Sequence, residues 1–318
     1  MREHSRDLHT PMMRWQTWCG LSLLVLLLAT ALLGPIVAPH DPEQSDALRF
    51  ETNADGSTLP VAPPYAPDGE FLLGSDRTGR DLLSRLLFGA RYTVFFIGLA
   101  TLGRVVLALV IASVAFLVSR SRHRISHLAP PRARVGAAIP EFIVVYVALF
   151  GIAFNPTMSP VRFAMIQAVL VVLVGVPNLV PTIRSAIEAA SHQTFVEAQV
   201  ASGADSRHIL FTTILPTIFR DLLILLAHEA LIVSVVLGEL AVFHIFVGGT
   251  IQTNDPVEYY SRSNEWAGMV GEYRAEVFGG SIRLLLIPLA FYLLVVLTFI
   301  LLSSTDESRH RSIRHRRR

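Results

Sequence analysis

The 318-residue sequence contains no lysine, because all 27 of its Lys and Arg positions are arginine. A phosphate-binding loop of the GxxxxGK[ST] type needs its lysine on the β- and γ-phosphates, so the chain cannot carry that kind of ATP site. Charged residues make up only 16% of the sequence, whereas soluble domains carry about 25%. The low charge and a mean hydropathy of +0.50 indicate a membrane protein, and no basic-aromatic pattern points to nucleic acid.

Cysteine is also scarce, with Cys19 as the single example. One cysteine excludes an intrachain disulfide and argues against a cysteine-based metal site. His228 and His244 are 16 positions apart, which is about 24 Å along a straight helix, so they cannot share one ion within this chain. No HExxH or GxSxG motif is present. We therefore expect no metal site and no catalytic residue, and a membrane-embedded enzyme is the least favoured hypothesis.

Six hydrophobic runs approach the roughly 20 residues that a bilayer-spanning helix needs. They cover residues 16–38, 92–119, 136–154, 161–181, 221–247 and 282–302. The first run is long enough to span and ends in a Pro-containing helix exit, so we interpret it as a span and not as a cleaved signal peptide. The predicted fold class is an all-α integral membrane protein with about six transmembrane helices.

The arginines predict the orientation, because basic residues stay on the cytoplasmic side. With the N-terminus inside, the inner segments hold 17 arginines and the outer segments hold 7. The inner segments are 1–15, 120–135, 182–220 and 303–318, and the outer ones are 39–91, 155–160 and 248–281. Both termini are therefore expected in the cytoplasm, with the basic tail beside anionic membrane lipid.

Thr194–Pro216 (TFVEAQVASGADSRHILFTTILP) lies between two hydrophobic runs, on the predicted cytoplasmic side. Its pattern predicts two short helices joined at Gly203 and closed by Leu-Pro. Thr194 can cap the first helix, and Glu197 three positions later completes a capping box. Gly203 can take the left-handed conformation that ends a helix, and Asp205 or the following serine can cap the second. Such a compact double turn suggests a docking element.

This stretch resembles the EAA loop of ABC-importer permeases. That loop has Glu-Ala, a Gly six residues after the Glu, and Leu-Pro about a dozen residues later. The matching residues here are Glu197, Ala198, Gly203, Leu215 and Pro216. Gln199 stands where the family usually has a second Ala, and Thr213 where it usually has Ile.

A second motif, Gly74–Arg91 (GSDRTGRDLLSRLLFGAR), ends the long outer segment. From Asp81 its leucines have helical spacing, which predicts an amphipathic helix along the membrane surface before the second span. It resembles the GTDxxGRDxxSRxxxGxR signature of the peptide/nickel permease subfamily. The matches are Gly74, Asp76, Gly79, Arg80, Asp81, Ser84, Arg85, Gly89 and Arg91, with Ser75 in place of Thr. We favour caps and surface ion pairs for its charged residues over direct substrate contact.

Ser263–Met269 resembles the family's Ser-Trp-Gly-Asn-Met stretch. A face that meets a substrate-binding protein and a solvated connector are about equally favoured for this outer segment. Charged residues within spans usually face a cavity or a partner, and Arg104, Glu141 and Glu239 lie within or at the ends of predicted spans. Glu239 fits a family position in the fifth span, where it either lines the pathway or pairs with an arginine across the heterodimer of permeases. Pairing is favoured, because an unpaired buried carboxylate is costly.

The resemblance covers residues from about 16 to 302 and implies a type I ABC-importer permease of the dipeptide/oligopeptide/nickel subfamily, in a bacterial or archaeal cell membrane. It implies a second homologous permease, two cytoplasmic ATPases that carry ATP and Mg²⁺, and an extracytoplasmic solute-binding protein. This chain would itself bind no cofactor and be no enzyme. The expected parts are a tail 1–15, a first helix 16–38, an outer loop 39–91 ending in an amphipathic helix, a core 92–302 with coupling loop 194–216, and a basic tail 303–318.

The alternative is a stand-alone secondary carrier or channel. It would use Arg104, Glu141 and Glu239 for proton or ion coupling, and it predicts neither an ATPase partner nor a need for the Gly203 turn. The absence of an internal repeat weakens an inverted-repeat carrier.

Overall fold

The computed structural model describes residues 10–46, 48–52, 58–121 and 139–304. Five helical stretches among these residues are long and apolar enough to cross a membrane, which confirms the mostly helical membrane fold. These stretches are Trp15–Val37, Leu82–Ser119, Pro160–Ser191, Ser206–Val242 and Arg283–Ser303. The basic tail, the first nine residues and most of the Arg-rich loop 120–135 lie outside the described residues, so the six-span count and the position of the termini stay predictions.

The helices are connected by segments of very different length, from short turns to residues 38–81 between the first two helices. The long helices are α1 (Thr10–Val37), α2 (Leu82–Ser121), α4 (Pro160–Ser191), α7 (Leu215–Val242) and α10 (Arg283–Ser303). The shorter ones are α3 (Glu141–Ala153), α5 (Thr194–Ala201), α6 (Ser206–Ile209), α8 (Trp266–Tyr273) and α9 (Glu276–Gly279), and a π-helical turn, Leu210–Ile214, joins α6 to α7. Two antiparallel hairpins, β1 (Arg49–Thr52) with β2 (Thr58–Val61) and β3 (Thr250–Gln252) with β4 (Tyr259–Ser261), complete the described structure.

The third predicted span differs most from its expected length. A span was predicted over 136–154, but α3 has only 13 residues, Glu141–Ala153. At about 1.5 Å per residue it is about 20 Å long, which is shorter than the roughly 30 Å hydrocarbon core of a bilayer. It begins directly after Pro140, because proline supplies no N–H to a preceding turn.

Helix α2 corrects the prediction of a separate surface helix before the second span. It runs unbroken for 40 residues from Leu82. Leu82 and Leu86 are buried, and so is Arg85 on the opposite side. The polar side of the first turns is covered by residues 261–273 and not by solvent. The predicted amphipathic helix along the membrane surface is therefore wrong, because its polar face has protein partners.

Two apolar clusters hold the bundle together, and they lie at different depths. One joins α2, α3, α4, α7, α8 and α10 and includes Ile97, Leu149 and Trp266. The other joins the later turns of α2 and α4 to the segment from α5 to α7. Helix α1 packs on α2 and α10. A Cβ on Gly34 would lie 2.5 Å from the carbonyl oxygen of Leu87, so only glycine permits the close approach of α1 to α2.

The molecule therefore has two distinct ends. The hairpin end carries β1–β4, α8, α9 and the start of α2. The loop end carries residues 191–216 and lies beyond the far end of α4, whose 32 residues measure about 48 Å. The long segment 39–91 is less irregular than predicted, because it contains the β1–β2 hairpin with Arg49 paired to Val61. The insert Thr250–Arg262 likewise forms the β3–β4 hairpin.

Candidate functional site

The coupling loop, residues 194–216, is a sequence of rigid turns. Helix α5 ends in a Schellman motif: Gly203 N–H donates to the Val200 carbonyl at 3.0 Å, and Ala204 N–H donates to the Gln199 carbonyl at 3.1 Å. Gly203 has φ +86°, the left-handed conformation predicted for it. Asp205 caps α6 by accepting from the Arg207 N–H, also as predicted.

The predicted capping box at the start of α5 is wrong. Thr194 is already the first helical residue, and the cap position belongs to Gln193, whose side chain makes no cap hydrogen bond. The backbone turns one residue earlier than expected, so the Gln193 carbonyl accepts from the N–H groups of Val196 and Glu197. Glu197 is exposed and does not have the capping role predicted for it.

The second helix of the loop does not close at Leu215-Pro216. It widens into the π turn Leu210–Ile214 and continues as α7. Pro216 lies near the start of α7, where it has no N–H to donate into the turn before it. A rotation or shift of the loop is thus transmitted directly into a membrane-length helix.

One face of the coupling loop is fixed to the bundle. The side chains of this face are buried in an apolar cluster with α2 and α4. They are Val196, Ile209, Leu210, Ile214 and Ile218, and their partners include Ala108, Ile183 and Ile187. Because such interiors are close-packed, the loop moves with these helices as one body.

The opposite face of the loop is apolar and exposed. Three large side chains on it are between 44% and 62% exposed, namely Phe195, Val200 and Phe211. Exposed apolar patches are typical of surfaces that meet another protein or a membrane. Glu197 and Ala198 are exposed beside them.

The two departures from the EAA pattern contact each other. Thr213 Oγ1 donates a hydrogen bond to Gln199 Oε1 at 3.0 Å. The bond joins the C-terminal turn of α5 to the π turn, across the Gly203 turn. A polar pair here occupies the positions that the family usually fills with Ala and Ile.

The signature motif at the hairpin end forms a buried network and not surface ion pairs. Asp76 Oδ1 accepts from the N–H groups of Thr78 at 2.8 Å and Arg80 at 2.9 Å, while Oδ2 accepts from Arg85 at 2.7 Å. Both Asp76 and Arg85 are buried. The surface ion-pair interpretation is therefore wrong, because a neighbouring segment covers both groups.

Arg85 has its other partners in that segment. Its guanidinium makes a bidentate ion pair with Glu272, in which both N–O distances are 2.9 Å. Its Nε donates a hydrogen bond to the Asn264 side chain at 2.7 Å. It also donates to the Tyr273 hydroxyl. Burial raises the pKa of Tyr273. A buried arginine is stable only with such full pairing, so Arg85 ties the start of α2 to α8.

The remaining signature residues shape the backbone around this network. Asp81 caps α2 by accepting from the Ser84 N–H at 3.0 Å, and Ser84 Oγ accepts from the His40 N–H. Gly74 and Gly79 have positive φ. A Cβ on Gly89 would overlap the Asn264 carbonyl oxygen at 1.7 Å. Arg80 faces the Tyr260 ring, and Arg91 faces Phe88 and Tyr92.

Ser263–Met269 is buried, so the solvated-connector interpretation is wrong for this stretch. The Trp266 indole N–H donates to the Leu86 carbonyl at 2.8 Å, and its backbone N–H donates to Thr93. Glu265 is buried beside them, and burial raises the pKa of its carboxyl group to about 7.

Within the membrane-length helices, Arg104 is the centre of a second buried cluster. Its guanidinium pairs with Glu141 at 2.7 Å and Glu229 at 3.4 Å, and it donates to the Val171 carbonyl. Asn178 donates to the other oxygen of Glu141. A Cβ on Gly175 would lie 2.3 Å from the Arg104 side chain, so the guanidinium lies against the backbone of α4.

Glu239 does not belong to that cluster. It is partly exposed, and no ion pair is found for it among the described residues. Arg104, for which the sequence left a pathway role and a pairing role open, is paired with Glu141 and Glu229. Glu229 is buried.

Several residues of these clusters were missed by sequence reasoning. They are Glu229, Asn264, Glu272, Tyr273 and Asn178. Their partners lie far away in sequence, as with the 187 positions between Arg85 and Glu272. The sequence offered one indication of these contacts, which is that a buried arginine requires a carboxylate partner. It did not indicate which Asp or Glu is that partner.

A cavity of about 230 Å³ opens at the hairpin end. Its walls carry groups of both charges, including Asp76, Arg77, Glu258, Glu272 and Arg274, together with His244 and Tyr259. Burial and the nearby Arg274 lower the pKa of His244 to about 4, so its ring is neutral at pH 7. Among the described residues, no group of three or more His, Cys, Asp or Glu side chains could hold a metal ion.

Comparison with known proteins gives relatives of one kind, although no family model matches the chain. The di/tripeptide transport system permease protein DppC of Pseudomonas aeruginosa (strain UCBPP-PA14) is 29% identical over 210 residues, 64% of this chain and 62% of the relative. The dipeptide transport system permease protein DppC of Haemophilus influenzae is 25% identical over 64% of this chain and 63% of the relative.

The peptide transport system permease protein SapC of Escherichia coli O6:H1 is 31% identical over 51% of this chain and 52% of the relative. The chain matches less than two thirds of the length of these relatives. Together with the five apolar helices, these similarities confirm the resemblance found in the sequence. The chain is similar to permeases of the dipeptide/oligopeptide family of ABC importers, and it is a multi-pass membrane protein.

Proposed function

We propose that the chain is a transmembrane permease subunit of an ABC importer and forms half of a translocation pathway for peptides or related small solutes. The observation that carries this proposal is the two-faced coupling loop. Its inner face is packed into α2 and α4, and its outer face presents Phe195, Val200 and Phe211. A loop with that construction converts movement of a docked protein into movement of membrane helices.

The partners follow from this role. Two cytoplasmic ATPases hold ATP and Mg²⁺ and dock on the loop. This lysine-free chain needs such partners because it has no GxxxxGK[ST] site of its own. A second homologous permease forms the other half of the pathway, and an extracytoplasmic binding protein delivers the solute. The docking residues are Glu197, Ala198, Gly203, Leu215 and Pro216. The loop end is then cytoplasmic, together with both termini, and the hairpin end faces outward.

The other residues singled out take structural or pathway roles. Three signature residues, Asp76, Arg85 and Gly89, fix the outer end of α2 to the segment that contains α8. The others shape the chain around that contact; they are Gly74, Gly79, Arg80, Asp81, Ser84 and Arg91. Arg104 holds α2, α3 and α7 together through its carboxylate partners. Glu239 has no ion pair among the described residues, so we assign it to the wall of the translocation pathway. Helix α3 makes a short sixth membrane segment, and the membrane is a bacterial or archaeal cell membrane.

The test is to tag the chain, extract it gently from its native membrane, identify what co-purifies, and measure uptake in liposomes. We expect a related permease and one or two ATPases with phosphate-binding loops, and peptide uptake that requires ATP. A chain that purifies alone and carries solute without ATP would instead establish the stand-alone carrier. The pairing of Arg104 with Glu141 gives that alternative no support, because the two groups neutralise each other.

A further inference from the structure

Seven aromatic rings form a continuous row along α3 and into the hairpin end. We name this row the aromatic track: Phe142, Tyr146, Phe150, Phe154, Phe243, His244 and Tyr259. The first four follow one another at intervals of four residues, so they lie on one face of α3. In spatial order the rings are Phe142, Phe243, Tyr146, Phe150, Phe154 and Tyr259. The centroids of neighbouring rings in this order are 5.2 to 5.9 Å apart.

The track opens into the cavity at the hairpin end. Tyr259 and His244 stack with ring centroids 3.9 Å apart, and both line that cavity. His244 has φ +59°, a conformation that costs energy for a residue other than glycine and that clusters at functional sites. The stacked pair is therefore held at the junction between a charged cavity and an aromatic row.

The other end of the track is acidic. Glu141 directly precedes Phe142, and Glu239 lies one helical turn before Phe243 on α7, so the two carboxylates flank the same rings. Glu239 is partly exposed and has no ion pair among the described residues. A carboxylate exposed at this depth is costly against lipid and usually faces a wetted path.

The rings of the track are not closed off by the rest of the chain. Phe150 is 52% exposed and Phe243 is 46% exposed. Aromatic faces attract cations as well as other rings. Glu141 is already paired with Arg104, so Glu239 is the carboxylate at this end that is open to a solute. An open row of rings beside Glu239 therefore fits a solute that carries both an ammonium group and apolar side chains.

We propose that the aromatic track is the solute-contacting wall of the pathway and favours short peptides with an aromatic side chain. The charged cavity receives the solute, the rings bind its apolar side chain in succession, and Glu239 attracts its amino terminus. This inference rests on the proposed function, because it names the solute class of that pathway. Removing one central ring should lower the preference for an aromatic peptide by about three- to tenfold.

The experiment measures ATP-driven uptake of Ala-Phe and Ala-Ala in competition, with the co-purified complex in liposomes. The variants are Phe150→Ala and Tyr146→Ala, with Tyr146→Phe as the version that keeps the ring. The matched control is Phe95→Ala, since Phe95 is a half-exposed phenylalanine of α2 outside the track. We expect the ratio of Ala-Phe to Ala-Ala uptake to fall in the two alanine variants and to stay at the wild-type value in Tyr146→Phe and Phe95→Ala.

Three results would overturn the inference, and they are distinguishable. Equal ratios in all variants, with normal ATP-driven uptake, would refute the track and leave the proposed function intact. Loss of the second permease from the purified complex in Phe150→Ala would assign the track to the interface between permeases. Absence of ATP-driven uptake of either peptide by the wild-type complex would refute the proposed function, and the inference would fail with it.

Discussion

Two buried arginines organise the described part of this chain at the residue scale. Arg85 is matched by Asp76 and Glu272 at the hairpin end, and Arg104 by Glu141 and Glu229 between the long helices. Each arginine is fully buried, so each needs its carboxylates to remain charged in an apolar interior. Both clusters join helices that are far apart in sequence and therefore act as cross-links.

Arg104→Gln should strongly destabilise the protein, because it leaves two carboxylates without a cation. Breaking a buried pair from one side costs about 3–5 kcal/mol. The measurement is the thermal unfolding midpoint of the purified chain in detergent. Arg91→Gln is the matched control, since Arg91 is exposed and contacts only rings, and it should change the midpoint little. Equal midpoints for the two variants would show that the Arg104 cluster does not hold the helices together.

The coupling loop is the decisive element at the next scale. Its backbone depends on the left-handed turn at Gly203, and its inner face depends on the apolar cluster with α2 and α4. The bond between Gln199 and Thr213 closes the turn from the side. These features brace the loop against α7 and the helices around it, as the proposed role in coupling requires.

Gly203→Val should abolish transport while the protein still inserts into the membrane. A Cβ at this position meets nothing within 4 Å, so the effect comes from backbone strain alone, about 1–2 kcal/mol or more for a β-branched residue. Gly203→Asn is the control, because asparagine tolerates the left-handed conformation. ATP-driven uptake and membrane content are measured together for both. Wild-type uptake in Gly203→Val would refute the need for this turn.

Glu265, before α8, should make stability depend on pH. Burial raises its pKa from an ordinary 4.5 to about 7, so the folded state binds the proton more tightly than the unfolded state does. The stabilisation is complete below pH 4.5 and is lost as pH rises through 7. One pKa unit corresponds to about 1.4 kcal/mol, so the effect amounts to roughly 3 kcal/mol.

The measurement compares unfolding midpoints at pH 5.5 and pH 8 for wild type and Glu265→Gln. Glutamine keeps an acceptor for the backbone N–H groups of Val247 and Gly268 but cannot ionise, so the variant should lose most of the pH dependence. Glu43→Gln removes an exposed carboxylate and should leave that dependence unchanged. An identical pH dependence in Glu265→Gln and wild type would contradict the assignment.

At the scale of the whole molecule, local patterns predicted the helices but not their partners. The apolar runs, the Gly203 turn and the Asp205 cap were found because each depends on neighbouring residues. The continuous α2 was not, because its polar face at Arg85 is covered by a segment 187 positions away. Glu229 was not identified as a partner of Arg104 because the two are 125 positions apart. The bond between Gln199 and Thr213 was not predicted either, although only 14 positions separate them, because it depends on how the turn between them folds.

The family resemblance contributed what local patterns could not. It singled out the coupling loop and the signature motif as distinct units, and the relatives confirm the resemblance. It did not reveal that signature residues are buried, because the spacing of a motif does not show which other segments of the chain pack over it. The aromatic track was likewise invisible, because rings four residues apart in an apolar run are typical of any membrane helix.

The central claim, that residues 194–216 dock an ATPase, is tested most directly by cross-linking. In a Cys19→Ser background the chain has no native cysteine, so Phe195→Cys places one thiol on the exposed face of the loop. Val147→Cys, on an exposed site of α3, is the control. We predict that, in native membranes, a short thiol-to-amine cross-linker joins the Phe195→Cys variant to a cytoplasmic ATPase. The Val147→Cys variant should give no such adduct. Absence of that adduct at 195, with the complex intact, would contradict the account.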